Sequence, residues 1–519
     1  MDSLPPKAIY SFRRENMKKK VFYNSITSVI NQILTLICGF ILPRIILERY
    51  GSETNGLLNS ITSFFAFVSF MDFGVGAVVQ SSLYKPLANG NYDDVSVILA
   101  SASKFFEKIA FVILAYTVLL IIAFPTFTHN SFGFFFSGTL ILSISVSYFF
   151  QFYIGAVDRL LLFSDQKGYI TFLSHSVSVV LSTIMGVLII NHGGSIQLVK
   201  LSASLVFLAR VAIVRLYISQ HYQVNRKAEY ITEPLQQKWN GFAQHLSSVV
   251  LDSTDTIVLT LFATLSDVSI YAIYYLVINA IKQFLYSLTV GVQAALGELI
   301  AKDKDKELKL LFKQLEWVAH NLGVFFFGCS AILIAGFVDV YTQNVSDANY
   351  HLPLFALCIS LTGVLYSVRL PYNHLLLASG HFKQTQHYYV IAVVINLALS
   401  VAAVNKFGLI GVTIGTIIAL LYHTCCILNY DIKHIVDWGI KSSIRLIVMD
   451  VFELLLGVML TSRYIDDVNC TIYDWLIKAC LVSVIWLLII VTFNCIFFRS
   501  EAKAFLKTIT QKRAIHFNR

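Results

Sequence analysis

Charge is what this sequence has least of. Only 13% of its 519 residues are Asp, Glu, Lys or Arg, about half the share of a soluble domain. A soluble fold of this length could not cover its surface with so few charges, so an ordinary cytosolic enzyme is excluded. The 56% apolar content excludes a disordered chain. Cysteine gives no framework either. Its eight residues are scattered, several inside apolar runs (Cys38, Cys329, Cys358, Cys480), only Cys425 and Cys426 are adjacent, and there is no C-x-x-C. A secreted disulfide scaffold and a cysteine metal site are therefore not expected. Enzyme signatures are also missing: no G-x-x-x-x-G-K-[ST] for ATP, no H-E-x-x-H and no G-x-S-x-G.

What the chain has instead is apolar length, with a mean hydropathy of +0.69. A membrane helix takes about 20 mostly apolar residues to cross a core of about 30 Å, so about fourteen crossings would use roughly 280 residues. Residues 1–20 are polar and basic, and the first apolar run opens at Val21 without an A-x-A-type cleavage site. It is expected to remain as the first span. The pattern places spans at 22–46, 57–83, 105–124, 134–157, 169–190, 198–218, 242–264, 270–299, 314–338, 352–375, 387–405, 408–429, 443–461 and 475–498. Only Lys406 and Phe407 separate the eleventh from the twelfth.

Orientation follows from the bias of Lys and Arg among the short loops. Lys85 and Lys104, Arg159 and Lys167, Arg226, Lys227 and Lys238, the lysines from Lys302 to Lys313, and Lys433, Lys441 and Arg445 fall on one side. Segments 125–134, 191–199, 265–269 and 339–351, on the other side, contain no Lys or Arg. The exceptions are 44–55, where Arg44 and Arg49 are balanced by Glu48 and Glu53, and the single residues Lys406 and Arg463. Both termini are expected in the cytoplasm of a bacterial-type plasma membrane. They also carry the net charge of +9: six Lys/Arg against two acids in 1–20, and six against one in 499–519, leave 27 of each sign between them. Such tails suit anionic lipid of the inner leaflet and give no reason to expect nucleic acid.

The expected class is all-α integral membrane, with two parallel six-helix lobes and a C-terminal helix pair. Its parts are a basic arm (1–21), an N-lobe (22–218), a cytoplasmic linker (219–241), a C-lobe (242–430), the extra pair (431–498) and a basic tail (499–519). An offset of 215 residues lays Ile41–Leu57 on Thr256–Ala272, and Leu83–Pro86 on Glu298–Ala301, by hydropathy and loop position. Parallel repeats of this kind build transporters. The competing explanation is that any two helix hairpins look alike.

Ionisable groups inside spans are costly and tend to face a cavity. Span 7 carries His245, Ser248, Asp252 and Asp255 at helical steps, and span 8 carries Tyr275, Asn279, Lys282, Tyr286 and Gln293 on one face. Span 1 carries Asn24, Ser28, Asn31 and Thr35, and span 2 carries Ser69, Asp72, Gly76 and Gln80. These four faces are expected to line one water-accessible cavity. Polar contact between packed helices is the alternative, and for the small residues of span 1 the better one. Lys282 pairing with Asp252 or Asp255 would be a purely structural variant of the same pattern. Arg369 lies deep in span 10 before Pro371, where a broken helix is expected. Its planar fork suits phosphate oxygens, with packing or snorkelling toward the inner interface as the alternative. Arg44, near the outer end of span 1, offers another cation or simply snorkels. His374, His381 and His387 read as loop histidines.

The opening hairpin then becomes specific. Asn31-Gln32, Ile41-Leu42-Pro43-Arg44, Tyr50-Gly51, Gly56, Met71-Asp72-Phe73-Gly74-Val75-Gly76 and Leu83-Tyr84, in that order and spacing, resemble the start of Wzx-type polysaccharide flippases. These belong to the multidrug/oligosaccharidyl-lipid/polysaccharide exporter superfamily. The span count and basic inner loops are similar along the whole chain. The resemblance implies a non-enzymatic flippase that moves undecaprenyl-pyrophosphate-linked oligosaccharide from the inner to the outer leaflet by alternating access. It would feed capsule, O-antigen or related glycans, and polymerase and chain-length proteins would be its partners. On that reading Lys282, Arg369 and Arg44 supply cations to the pyrophosphate. Asn279, Tyr275, Tyr286, Gln293, Gln80 and Asn31 meet the sugars. Asp72, Asp252 and Asp255 depart from a strongly cationic cavity and fit charge pairing or coupling to Na⁺ or H⁺; no other cofactor is expected. A cation-coupled multidrug extruder of the same fold is the first alternative. A membrane glycan polymerase or acyltransferase is a weaker one, opposed by short outer loops.

Overall fold

The computed structural model describes residues 6–69, 71–128, 131–230, 235, 253–436, 439–464 and 471–503. Regular structure among them is entirely helical, and the protein is an all-α integral membrane protein. It forms two compact units, Met1–Val249 and Val250–Arg519.

The first unit contains α1 (Pro6–Ser69), α2 (Met71–Asn89), α3 (Tyr92–Phe127), α4 (Phe134–Phe150), α5 (Ala156–Ser164), α6 (Gly168–Asn191) and α7 (Ile196–His221). A five-residue π-helical turn, Gln151–Gly155, joins α4 to α5. The apolar part of α1, Phe22–Phe67, has 46 residues, far more than one crossing takes. It is broken at Gly51, whose φ of 83° is a conformation that glycine adopts freely and other residues do not. The expected turn between spans 1 and 2 therefore exists. Asn91 caps α3 by accepting from the Asp94 backbone N–H at 3.1 Å, with Asp93 and Asp94 placed favourably in the first turn. Within the unit α1 packs on α6, α6 on α7, α7 on α4, and α4 on α3.

Polar side chains stitch the basic end of this unit. Asp158, almost fully buried, receives Arg215 at 2.8 Å and also Arg226 from the start of the linker. Asp165 receives Tyr222 at 2.5 Å, Lys167 at 2.9 Å and Lys20 at 3.3 Å. Burial by itself would raise the Asp165 carboxyl. The Tyr222 hydroxyl and the two ammonium groups outweigh it and hold the group below its ordinary value.

The second unit contains α8 (Ser253–Phe262), α9 (Leu265–Ala301), α10 (Asp305–Tyr341), α11 (Pro353–Ser379), α12 (Phe382–Asp431), α13 (Lys441–Thr461) and α14 (Ile472–Phe497). Capping boxes start α9 (Thr264 with Asp267) and α14 (Thr471 with Asp474). Pro371 lies inside a continuous α11, so the broken helix expected there does not form; α11 ends at Gly380 instead. The first half of span 7, with His245, Ser248 and Asp252, lies outside the described residues.

The doubtful pair of spans at 387–405 and 408–429 is two arms of α12, turned at Gly408 (φ 52°, ψ −129°). Small residues let the arms touch at backbone distance. A Cβ on Gly411 would lie 2.6 Å from the Ala403 carbonyl oxygen, and one on Gly415 would lie 2.5 Å from Ser400 Oγ and 2.9 Å from Ser400 N.

Ten helical runs among the described residues are long and apolar enough to cross a membrane. Two of these are double and α13 adds one, which makes about thirteen candidate crossings among the described residues, and α8, with ten residues, is a shorter apolar helix. α13 falls short on apolarity because it carries Asp450 and Glu453. Both acids face inward. Ser443, Leu446, Asp450, Glu453, Gly457 and Thr461 form its buried stripe, while Val451, Phe452, Leu455 and Met459 are exposed. The stripe repeats every three or four residues, so α13 turns its polar face to protein and its apolar face outward.

α10 is the axis of this unit and packs against α9, α11, α13 and α14. The fully buried Trp486 of α14 fills the space left by Gly328 of α10 and Gly457 of α13. On either side of it, Trp475 Nε1 donates to the Leu333 carbonyl at 3.0 Å, and Trp317 Nε1 donates to Asn494 Oδ1 at 2.7 Å.

Candidate functional site

The polar residues of α9 recur along one face: Tyr271, Tyr275, Asn279, Lys282, Tyr286, Thr289 and Gln293. Lys282 stands in the middle. Its ammonium lies 5.2 Å from the centre of the Tyr275 ring and 5.5 Å from that of Tyr366 on α11, within the range of cation–π attraction. Arg369 follows Tyr366 by three residues, on the same face of α11. The two cations singled out in the second half of the sequence thus share one pair of helices.

Arg369 donates from Nη1 to Nδ1 of His423 on α12 at 2.7 Å. A guanidinium has no acceptor, so the imidazole nitrogen must accept and its proton must sit on Nε2. His423 is therefore neutral, and its ring packs edge-on against Tyr389 at 4.0 Å. No carboxylate among the described residues lies within 4.0 Å of Arg369, and its Nε is buried without a partner. The arrangement is a positive charge fixed in position by a neutral group.

Toward the other end of the face, His374 joins α11 to α9. Its Nε2 meets Thr289 Oγ1 at 2.9 Å, its Nδ1 meets Gln293 Oε1 at 3.3 Å, and its ring lies 5.6 Å from that of Tyr286. His374 is buried inside α11, not in a loop as expected. Tyr286 remains exposed, and Asn279 is half-buried.

Asp255 is buried beneath α9 and α12 and has its own oxygen-rich surroundings. Tyr271 donates to Oδ2 at 2.8 Å, Thr416 Oγ1 lies 2.7 and 2.8 Å from the two carboxylate oxygens, and Asn396 Nδ2 approaches at 3.5 Å. Thr416 Oγ1 also lies 3.2 Å from the Val412 carbonyl, which Ser400 Oγ reaches at 3.2 Å. Asn396 Oδ1 is buried with no hydrogen-bond partner. The Thr416 hydroxyl has one hydrogen and three acceptors in reach, so oxygens outnumber the hydrogens available to them. A carboxylate, a backbone carbonyl, two hydroxyls and an amide oxygen form a set that can hold a small hard cation or a proton.

In the first unit the candidates are engaged locally. Asn31 Oδ1 meets His175 Nδ1 at 2.7 Å and Ser176 Oγ at 3.2 Å on α6. Asn24 receives the Tyr169 backbone N–H at 2.7 Å and donates to the Gln166 carbonyl at 3.1 Å. Both fasten α1 to α6. Arg44 pairs with Glu48 one turn on, at 3.1 Å. Gln80 is half-buried on α2. The side chain of Asp72 and the whole of Asp252 lie outside the described residues.

Sequence reasoning passed over His423, Asn396 and Thr416, which complete the two arrangements from α12. It also passed over Glu316 and His320 on α10 and Asp450 and Glu453 on α13. A signal existed for the last four. Ionisable residues spaced by four and by three within expected spans mark one face of each helix.

No family model and no curated protein sequence matches the chain. Solved structures do. "Lipid II flippase MurJ, inward closed conformation" matches with a TM-score of 0.68 at 17% identity, over 92% of this chain and 99% of that one. An inward-facing multidrug resistance MATE family transporter of the MOP superfamily matches at 0.64 and 11% identity, over 78% and 98%. A MOP superfamily transporter from Pyrococcus furiosus, described as having a binding pocket of reverse polarity, matches at 0.57 and 12% identity, over 80% and 95%. At these identities the likeness concerns architecture, and the chain has the helical membrane fold shared by these flippases and transporters.

Proposed function

We propose that the chain is a flippase that carries lipid-linked oligosaccharide pyrophosphate from the inner to the outer leaflet of a bacterial plasma membrane, for surface polysaccharide assembly. The observation that supports it most is Arg369. A guanidinium inside a span, held by a neutral histidine and with no carboxylate beside it among the described residues, calls for an anion from elsewhere. A pyrophosphate head fits its fork. Lys282, which reaches Tyr366 one turn before Arg369 on α11 and whose charge also acts on Asp255, adds a second positive charge to this pair of helices, and the aromatic and amide groups of α9 suit the faces and hydroxyls of sugars. The polyprenyl tail would stay in lipid while the head crosses. The MurJ likeness is consistent with a lipid-linked substrate.

Asp255 and its oxygens supply the energy on this reading, by binding Na⁺ or H⁺ on one side and releasing it on the other. The same cluster favours a second reading, a cation-coupled multidrug extruder. Expression in a bacterial strain lacking its own polysaccharide flippase separates the two. Restored surface glycan, lost again in Arg369→Ala, supports the flippase. No glycan, with raised resistance to organic cations, supports the extruder.

A further inference from the structure

Three carboxyl groups and one imidazole meet where α10 and α13 pack together, a fourth carboxyl, Asp431 of α12, faces the same Tyr372 of α11 that binds Glu316, and none of them belongs to the Asp255 or Arg369 arrangements. Glu316 and His320 stand one turn apart on α10. Tyr372 of α11 donates its hydroxyl to Glu316 Oε1, and His320 Nδ1 lies 2.5 Å from Asp450 Oδ2 on α13. The titratable groups facing His320 are Asp450, Glu316 and Glu453, and those facing Glu453 are Asp450 and His320. Asp431, at the end of α12, faces Tyr372. Relative exposure is 0% for Glu316 and Asp431, 1% for His320, 4% for Glu453 and 6% for Asp450. The other elements packed here bring no charge. α9 contributes Val292 and Leu296 to the adjoining core, and α14 contributes Trp486 and Asn494 on neighbouring turns.

The cluster is short of positive charge. Even as imidazolium, His320 balances one of four acids, and no Lys or Arg among the described residues is one of the groups that face them. An ionised carboxylate without a partner is prohibitively costly inside a protein core within a membrane, and such a group takes a proton instead. The open atoms are where protons belong. Nε2 of His320 and both oxygens of Asp431 are buried without any hydrogen-bond partner. The open imidazole nitrogen is the independent feature. With Nδ1 committed to Asp450, Nε2 is a base that can accept a proton without disturbing the contact between α10 and α13.

We propose that this seam is a proton-binding site, in which Asp431 and Glu453 hold protons at neutral pH and His320, held at Nδ1 by Asp450, exchanges one. Its ligand is the proton itself, taken up at Nε2 of His320 as pH falls and released there as pH rises. Because α13 meets α10 through this pair, the C-terminal helix pair is the part of the molecule that senses the change.

Infrared spectroscopy of the full-length protein in lipid nanodiscs tests this, read at the C=O stretch that only a protonated carboxyl gives. At neutral pH, Asp431→Asn and Glu453→Gln should each remove one carboxyl's share of that band. In wild-type protein, carboxyl-labelled glutamate should shift part of the band, a readout that needs no variant to fold. A change of imidazole and carboxyl bands between mildly acidic and alkaline buffer should be lost in His320→Gln. An unshifted band with labelled glutamate, or a full band in both amide variants, would show the acids ionised and overturn the proposal. So would a spectrum that responds to sodium in place of choline at fixed pH, which would assign the cluster to a metal cation. A pH response that survives in His320→Gln would remove the exchanging pair.

Discussion

Arg369 and His423 are joined by a 2.7 Å hydrogen bond in which the arginine can only donate, so the arginine's charge faces a neutral ring. That separates it from Arg215, whose guanidinium lies against the buried Asp158 carboxylate. Arg215 is compensated within the protein and is expected to matter for stability. Arg369 is expected to matter for transport. Arg369→Ala should abolish glycan export while the protein stays in the membrane at its normal level. Arg369→Lys should fail nearly as badly, since an ammonium cannot hold His423 and a phosphate with one planar fork. A charge-assisted contact contributes about 1.5–3 kcal/mol, on the order of a ten- to hundredfold loss of export rate. Surface glycan and membrane level measured together check it, and normal export by both variants would remove Arg369 from the substrate path.

The Asp255 cluster predicts a different phenotype. Asp255→Asn should abolish the dependence of transport on a Na⁺ or pH gradient rather than substrate binding. Thr416→Ala should weaken that dependence and lower stability by about 1–3 kcal/mol, because a buried carboxylate loses its nearest hydroxyl. Gradient-driven uptake in proteoliposomes, with Na⁺ and pH imposed separately, identifies the ion. Unchanged gradient dependence in Asp255→Asn would exclude the cluster from coupling.

The two arms of α12 depend on the absence of side-chain atoms at Gly411 and Gly415. Gly415→Ala would push a methyl against Ser400 Oγ and its backbone nitrogen, at 2.5 and 2.9 Å. The arms must then separate, at a cost of about 1–3 kcal/mol. Since Asn396 and Thr416 belong to different arms and both reach Asp255, the same substitution should impair cation coupling. Thermal unfolding in detergent gives the first quantity and gradient-driven uptake the second. A variant as stable and as coupled as wild type would show that the arms are not held by this contact.

Much of this fold was legible in the sequence, because a bilayer writes its thickness into apolar run lengths. Even the doubtful turn at 406–408 was marked by Lys406 and Gly408. Contacts between helices were less legible. Pro371 was expected to break its helix and does not, since a proline leaves a helix continuous where neighbours accommodate it. His374 was read as a loop residue from its position near a span end, yet it is buried between Thr289 and Gln293. The polar face of α9 was visible as a 3–4 repeat. Its partners on α11 and α12 were not, because Tyr366, His423 and Thr416 are separated from it by long stretches of chain and no local pattern announces which helix packs where. Asn31 stands apart. Its spacing left both a cavity and packing between helices open, with packing the better reading, and its side chain meets His175 and Ser176 of α6.

Asp165 gives the prediction with a definite pH window. Its carboxyl is held below its ordinary value by Tyr222, Lys167 and Lys20 against the opposing effect of burial. A carboxylate depressed in the folded state adds stability that is complete above its unfolded value, about 3.9. That stability is lost as pH falls through that value toward the lower folded one. Between neutral pH and about 5 it should therefore stay constant. Asp165→Asn should be less stable than wild type throughout that range, and the gap should narrow below pH of about 4 and close only below the lower folded-state value, where both proteins are neutral at this position. The contact joins α1, the turn before α6 and the residue after α7, so its loss should free the start of the linker first. Proteolysis at the 222–230 segment followed against pH, alongside thermal unfolding, checks this. A gap between the two proteins that persists undiminished in acid would mean that Asp165 acts through packing and not through its charge.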